Sequence, residues 1–592
     1  GKRYPINLEE KNNIRSPKEE YALFLQIDLG YFMRDRFRKY VRTLRGFFEE
    51  YGVEDTIFLI NIHGTEHNRG LSFPIGISQL YEAYTQDSKY LSGSDHYLGN
   101  FKVENFQDLY LMNAYMEASN LDDQPISSIE FECGDGNYGV FFGQGHLDVS
   151  AADFKMRMSI AQGNRLLNYY LFAGGKNYLL DVDIGDGNNR ISFQGEEHGI
   201  AAPIGPTGKI NYTYPRLATA TNVIMASAEK LAKANEERDN VAFAFIPDYF
   251  MTEYQYPASQ KVKEVIKNLE EFRSGGAWNN LARAMLFGGY RFSAIDIQNN
   301  KISQKNVQVL IVPSAKYMAK EVQEKLAAFM EAGGSILIYG QLPIYDLEGN
   351  PCSVLANVLE VEILNERRTK HDHVLHIVGD SWAKGRPDLT VYHVQEYKGK
   401  HFTPIFRTYD SRDVCAFETK YKKGKAVVFG TQQHGDVAFF TEMLSRLGAK
   451  KGLSHKGSAS GIFMTTTKTK EEERFLHIIN FDQYDQEISI YDNGTDLFHG
   501  NKLMVQANEA MMLPINVTYH DIVIKYSSAE VMKVEKDAIE FRLTQPKDFI
   551  VIKTRKEVKP SNDYVIIKDD DDVTIHSNKH AKISQHLRVQ FQ

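Results

Sequence analysis

Residues 127–134 read Ser-Ser-Ile-Glu-Phe-Glu-Cys-Gly, which sets two carboxylates, Glu130 and Glu132, two positions apart at the end of an apolar run. In an extended chain alternate residues share a face. The spacing therefore predicts Glu130 and Glu132 on one side and Phe131 on the other. Two like charges held together out of water repel unless one is protonated or both are hydrogen-bonded. Such a pair in a cleft is a candidate for carboxylate chemistry. Two glutamates on a solvated strand end have the same spacing, and spacing alone leaves both readings open. Two further polar clusters end apolar runs, Asn61-Ile62-His63-Gly64-Thr65-Glu66-His67 and Ser94-Asp95-His96-Tyr97. His63, Glu66 and His67 carry the letters of an H-x-x-E-H zinc motif, which requires a helix. Here His63 ends a strand-like run and Gly64 follows, so no metal is expected.

Four strand-like runs must position these groups: Thr56–Ile62, Tyr90–Tyr97, Ser127–Phe131 and Leu166–Phe172. Helix-like stretches lie around Ser78–Tyr84, Asn105–Ser119 and Ala151–Asn164. The alternation predicts a parallel sheet with covering helices. In a βα barrel the C-terminal strand ends carry the active site, and each run here ends in polar or glycine-rich sequence. Ahead of them a helix is predicted from Ser16-Pro17 to about Tyr51. Phe37, Tyr40, Val41, Leu44, Phe47 and Phe48 form its apolar stripe. Arg34, Arg36, Arg38, Lys39, Arg42 and Arg45 lie largely off the stripe and read as a solvated basic face.

A second unit spans 216–450, with buried-strand candidates at Asn240–Phe245, Val307–Val312, Ser335–Tyr339 and Lys425–Phe429. A helix at Ala319–Ala332 stops at Gly333-Gly334. This predicts a doubly wound α/β domain. Residues 451–592 turn to short alternating strands, predicting β-sandwich modules, with Asp569–Asp572 at a hairpin tip. The expected division is thus 1–215, 216–450 and 451–592, and the overall class is α/β with an all-β end.

The chain of 592 residues has length for about four domains. Its 69 basic and 77 acidic residues leave a net charge of −8, against a phosphate-neutralising nucleic-acid surface. No run is apolar enough for a membrane span. Three cysteines, Cys133, Cys352 and Cys415, exclude a disulfide scaffold. Neither Cys352 nor Cys415 has the strand-to-helix setting of a nucleophile. The segments GDGNYG and GDGNNR lack the phosphate-loop patterns, so no nucleotide is expected. No signal peptide follows Gly1, which gives a cytoplasmic expectation, with the native start open.

The run SSIEFECG resembles the nucleophile strand of clan A glycoside hydrolases, near the β-galactosidase families 35 and 42. Asn168-Tyr169-Tyr170-Leu171-Phe172-Ala173-Gly174-Gly175-Lys176-Asn177-Tyr178 resembles the family 35 motif on the last barrel strand. The resemblance implies that these strands are barrel strands 5–8. It also implies an amidotransferase-like assembly domain after them, and a homotrimer. Glu130 would be the nucleophile of a retaining exo-β-galactosidase that needs no cofactor. Glu132 would shape its field or hold a sugar hydroxyl. Asn61, His63, Glu66, Asp95, His96, Tyr97, Tyr170 and Asn177 would line the sugar site, with Tyr97 orienting the nucleophile or stacking on the sugar. The expected partner is a carbohydrate.

The family's acid/base glutamate, in an Asn-Glu pair on strand 4, has no counterpart ahead of the first strand here. The nearest carboxylate, Asp28, falls in the predicted helix. Only four βα units are visible where a barrel needs eight. The sequence therefore reads as the C-terminal half of a TIM barrel. The other half would sit upstream, come from another polypeptide, or be missing from a fragment. A catalytically inactive carbohydrate binder is the alternative from a different class.

Overall fold

The structure is a computed structural model that describes residues 11–62, 75–135, 146–182, 197–199, 202–369, 373–457, 461–569, 572–578 and 580–592. The four predicted strands form as β1 (Phe58–Asn61), β2 (Tyr90–His96), β3 (Ser127–Phe131) and β4 (Leu166–Tyr169). They pair in that order and are all parallel. Sequential neighbours running the same way require helical crossovers, as in the wall of a βα barrel. Helix α1 (Glu19–Glu50) precedes β1, α2 (Phe106–Ser119) joins β2 to β3, and α3 (Ser150–Ala161) joins β3 to β4. Helix α4 (Tyr214–Ala226) follows and packs on α3. The boundary expected at 215/216 falls inside α4. Among the described residues β1 and β4 are both edge strands.

Gly93 lets β2 and β3 approach. A Cβ there would lie 2.7 Å from the Ile129 Cβ, well inside van der Waals contact. Helix α2 is buried on every face from Phe106 to Met116 because it is wedged between units. Its Tyr115 stacks on Phe245 at 4.5 Å, and its Phe106 meets Phe481 at 4.7 Å.

The solvated basic face expected on α1 is corrected at Arg34 and Arg45, while Arg36, Lys39 and Arg42 are exposed as expected. Arg34 is 2% exposed and donates to Asp248 at 2.7 Å and to Gln79 at 3.0 and 3.1 Å. Arg45 turns inward to Asp87 at 2.8 Å. The apolar stripe is the exposed side, with Phe47 and Phe48 each 52% accessible. The reason is pairing: the carboxylate of Asp248 lies under this helix and selects the arginine face.

The second unit is built on parallel strands β5 (Val241–Phe245), β6 (Ser293–Asp296), β7 (Val309–Ser314), β8 (Ser335–Gly340) and β9 (Gly424–Phe429). Their spatial order is β6-β5-β7-β8-β9. In chain order that is 2-1-3-4-5, a doubly wound arrangement. Antiparallel strands from 361–421 widen it to an 11-stranded sheet, an extension and a second strand (β6) that the hydropathy pattern did not mark. Helix α5 (Lys320–Ala332) ends at Gly333, whose φ of 116° only glycine adopts readily.

The C-terminal region is all β. An eight-stranded antiparallel sheet, which also takes in Asn235–Glu236, is accompanied by four-stranded and three-stranded sheets. Asp569 and Asp572 pair at the end of a hairpin, with the two residues between them outside the described set. A buried ionic cluster ties this region to α3. Arg157 donates to Asp153 and to Glu530 at 2.6 Å each, Arg542 reaches Glu530 at 2.6 Å, and Arg216 reaches Asp153 at 2.8 Å. Among the described residues, no helix is long and apolar enough to cross a membrane.

Candidate active site

Three consecutive parallel strands bring one residue each to a common point at their C-terminal ends. Glu130 stands near the end of β3, half-buried. Asn61, the last residue of β1, donates its Nδ2 to Glu130 Oε1 at 3.1 Å. Tyr97, directly after β2, donates its hydroxyl to Glu130 Oε2 at 2.8 Å. Each carboxylate oxygen thus has its own donor, which fixes the plane of the group. Burial, and then the hydrogen bond to Glu130, push the Tyr97 phenol far above its ordinary pKa, so it stays a donor. Tyr170 follows β4, and its ring stands at 74° to that of Tyr97 with centroids 5.8 Å apart. Its backbone N–H donates to the Phe131 carbonyl at 3.2 Å. Asp95 is buried on β2 in register with Glu130. Asn61, Tyr97, Asp95 and Tyr170 are therefore gathered around Glu130 as the sequence predicted.

Two residues predicted to join them do not. Glu132 is 1% exposed, and its Oε2 accepts from Lys155 of α3 at 3.2 Å. It faces the covering helix, so the expectation that Glu130 and Glu132 share a side, with Glu132 free for a sugar hydroxyl, is corrected. Strict alternation fails because the ladder slips on both sides of Glu130, between Ser94 and Asp95 on β2 and between Ser128 and Phe131 on β3. His96 is 1% exposed and lies edge-on to Phe131 at 6.1 Å, away from the sugar position predicted for it. Burial, with the Lys155 charge second, pushes its pKa down to about 3, so it is neutral.

Asn177 is half-buried just past the two-residue strand Gly175–Lys176. His63, Glu66 and His67 lie outside the described residues. Asp28 lies in α1, as read from the sequence. Among the described residues no three His, Cys, Asp or Glu side chains are grouped to hold a metal.

Lys155 was missed by sequence reasoning. It is a fully buried cation in the middle of α3, where Ser150–Ser159 are all buried. A lysine inside so small-residue and apolar a helix is the signal that points to a buried partner. Asn168 was quoted only within its motif. It donates to the Ile129 carbonyl at 2.7 Å and ties β4 to the strand of Glu130.

The sequence pattern of the family "GLMA-like, second domain" matches residues 260–386, within the doubly wound unit. A β-1,2-glucosyltransferase from Ignavibacterium album is 22% identical over 445 residues, covering 72% of this chain and 58% of that protein. An exo-β-D-glucosaminidase from Thermococcus kodakarensis is 27% identical over 217 residues, covering 36% of this chain and 25% of that protein. Among solved structures, Gan42B, a GH42 β-galactosidase from G. stearothermophilus, superposes with a TM-score of 0.63 at 13% identity, over 83% of this chain and 68% of that one. The chain spans about half the length of the curated relatives it matches, or less. The fold is similar to that of solved GH42 β-galactosidases, whereas the relatives in sequence are named for glucosyl and glucosaminyl chemistry.

Proposed function

We propose that this chain carries the nucleophile half of a retaining exo-β-glycosidase, with Glu130 as the nucleophile. The observation that carries the reading is the carboxylate of Glu130, gripped by Asn61 and Tyr97 at the C-terminal ends of neighbouring parallel strands. A Glu130 oxygen attacks the anomeric carbon. The bond from that carbon to the leaving oxygen breaks, and its electron pair departs with the oxygen. Water then adds to the anomeric carbon, the ester to Glu130 breaks, and the carboxylate is restored. A second carboxyl, about 5–5.5 Å away in retaining enzymes, donates the first proton and accepts one from water. We assign that group to four further βα units packed against the open edges of β1 and β4, whether upstream or on another polypeptide. The sugar is a terminal β-galactoside on the strength of the motif resemblance and the fold.

A second reading changes the acceptor rather than the nucleophile. The Ignavibacterium relative is named a glucosyltransferase. With the same ester on Glu130, attack by a sugar hydroxyl in place of water gives transfer. The Thermococcus relative's name adds glucosamine as a candidate sugar.

The test uses dinitrophenyl glycosides, whose leaving group departs without a proton. The chain is incubated with 2,4-dinitrophenyl 2-deoxy-2-fluoro-β-galactoside or the matching glucoside, and intact mass is recorded. A one-sugar adduct that is absent in Glu130→Gln supports the nucleophile, and the preferred sugar gives the specificity. Dinitrophenyl β-glucosaminide is followed by release of dinitrophenolate. No adduct and no burst with any of the three, when the chain is assayed together with the four further βα units, would overturn the glycosidase reading in favour of an inactive carbohydrate binder.

A further inference from the structure

We propose that the buried Lys155–Glu132 ion pair is a positioning device for Glu130, holding the irregular end of β3 so that the nucleophile faces Asn61 and Tyr97. The inference rests on the reading of Glu130 as nucleophile and names the element that aims it.

The backbone around Glu130 is not held by a regular ladder. Register is lost between Ser128 and Phe131 on the β4 side and between Ser94 and Asp95 on the β2 side. A bulge of this kind redirects a side chain, but it must be pinned from elsewhere. Lys155 does the pinning. Its Nζ is 3.2 Å from the Glu132 carbonyl oxygen and 3.2 Å from Glu132 Oε2, so one ammonium holds both main chain and side chain two residues past Glu130. The same ammonium sits 5.4 Å from the centroid of the Phe131 ring. Phe131 and Glu132 are thereby both drawn to the helix side, and Glu130 is left to face the strand ends. The Glu132 N–H completes the clamp with a 3.4 Å hydrogen bond to the His96 carbonyl.

Burial argues that the pair serves geometry. Lys155 is 0% exposed and Glu132 is 1% exposed. A charge pair so far from water gains little over apolar side chains of the same size, while fixing orientation strictly. The neighbouring buried residues Cys133, Ala152 and Met156 form an apolar cluster that a second apolar pair would simply extend.

The test is the double variant Glu132→Leu/Lys155→Met, which removes both charges of the pair. It is read by thermal unfolding, by the rate and half-saturation of fluorosugar trapping, and by a crystal structure. Unchanged or raised thermal stability is expected. Trapping should slow at least 100-fold with half-saturation within about threefold of the starting protein, and the Tyr97–Glu130 hydrogen bond should be lost. The neutral hydrogen-bonding pair Glu132→Gln/Lys155→Gln should recover much of the rate, and it serves as the test if the apolar pair does not fold. Wild-type trapping speed with the Glu130 contacts intact would overturn the proposal. If the starting protein itself forms no adduct, the nucleophile reading fails on its own. The positioning claim is then decided by the crystal structures: Glu130 unmoved in the double variant overturns it, and Glu130 turned away from Asn61 and Tyr97 upholds it.

Discussion

The Tyr97 hydroxyl is 2.8 Å from Glu130 Oε2, and it reaches that oxygen from the strand next door. A hydrogen bond to a charged acceptor contributes about 1.5–3 kcal/mol. Tyr97→Phe is therefore expected to slow fluorosugar trapping on Glu130 about 10- to 100-fold. Tyr97 is half-buried and at a strand end, so its melting temperature should move little. Stopped-assay mass spectrometry against time, beside a melting curve, checks both halves. Equal trapping rates would remove Tyr97 from the machinery.

Asn61 makes the companion contact from an exposed position. Asn61→Ala should also slow trapping. Asn61→Asp should slow it more, because a second negative charge then faces Glu130. The ordering Asn, Ala, Asp in trapping rate is the outcome to measure. An aspartate variant faster than alanine would contradict it.

Stability should fall in acid, with a sign set by three buried groups. Burial depresses His96 and His477 to about 3, so between roughly pH 6.5 and 3 the unfolded chain binds protons there that the folded chain refuses. That stability is present above the unfolded histidine pKa and is lost as pH falls. Asp548, raised by burial to about 6, works the other way between about pH 4 and 6. Two protons against one leave a net slope of about 1.4 kcal/mol per pH unit from these groups. Urea midpoints from pH 7 to 4 should show it, and His96→Phe should flatten the curve.

Arg34 is buried against Asp248 at 2.7 Å. Asp248→Ala strands the guanidinium, and the expected loss is about 3–5 kcal/mol. Arg34→Met with Asp248→Leu should recover most of it. Denaturant unfolding of the two variants decides this, and an Asp248→Ala variant as stable as the starting protein would show that α1 is not anchored there.

The outward row of α1 and β1, an edge strand among the described residues, expose Phe47, Phe48 and Leu59 at 52%, 52% and 42%. Exposed apolar side chains and a strand edge both favour association. Phe47→Lys with Leu59→Lys should lower the apparent mass in concentration-dependent light scattering and leave the melting temperature nearly unchanged.

Much of this site was readable from residue order alone. The β1–β4 strands announced themselves by apolar runs ending in polar residues, and that placed Asn61, Tyr97 and Glu130 together before any coordinates. Glu132 was misplaced because a period of two predicts faces only while the ladder is regular, and a bulge carries no hydropathy signature. His96 was misplaced because it was grouped with its neighbours Asp95 and Tyr97, although alternation already sets it on the face opposite Asp95. Arg34 was misread because a helical wheel shows which residues share a face but not that Asp248, more than two hundred positions away, lies beneath one of them. The strand Val361–Arg368 escaped for lack of contrast. Val361–Arg368 is largely exposed or half-buried, so its polar letters resembled a loop.

The ionic cluster of Arg157, Asp153, Glu530 and Arg542 has a bearing on how such a molecule evolves. Its members come from α3, the helix behind β3, and from the distal β modules, and they are sealed from water. Exchanging the β modules for unrelated ones would remove Glu530 and leave Arg157 with Asp153 as its remaining carboxylate partner in this cluster. A replacement β module would therefore have to bring its own buried carboxylate to Arg157, so the β region and the helix behind Glu130 cannot be exchanged independently without cost.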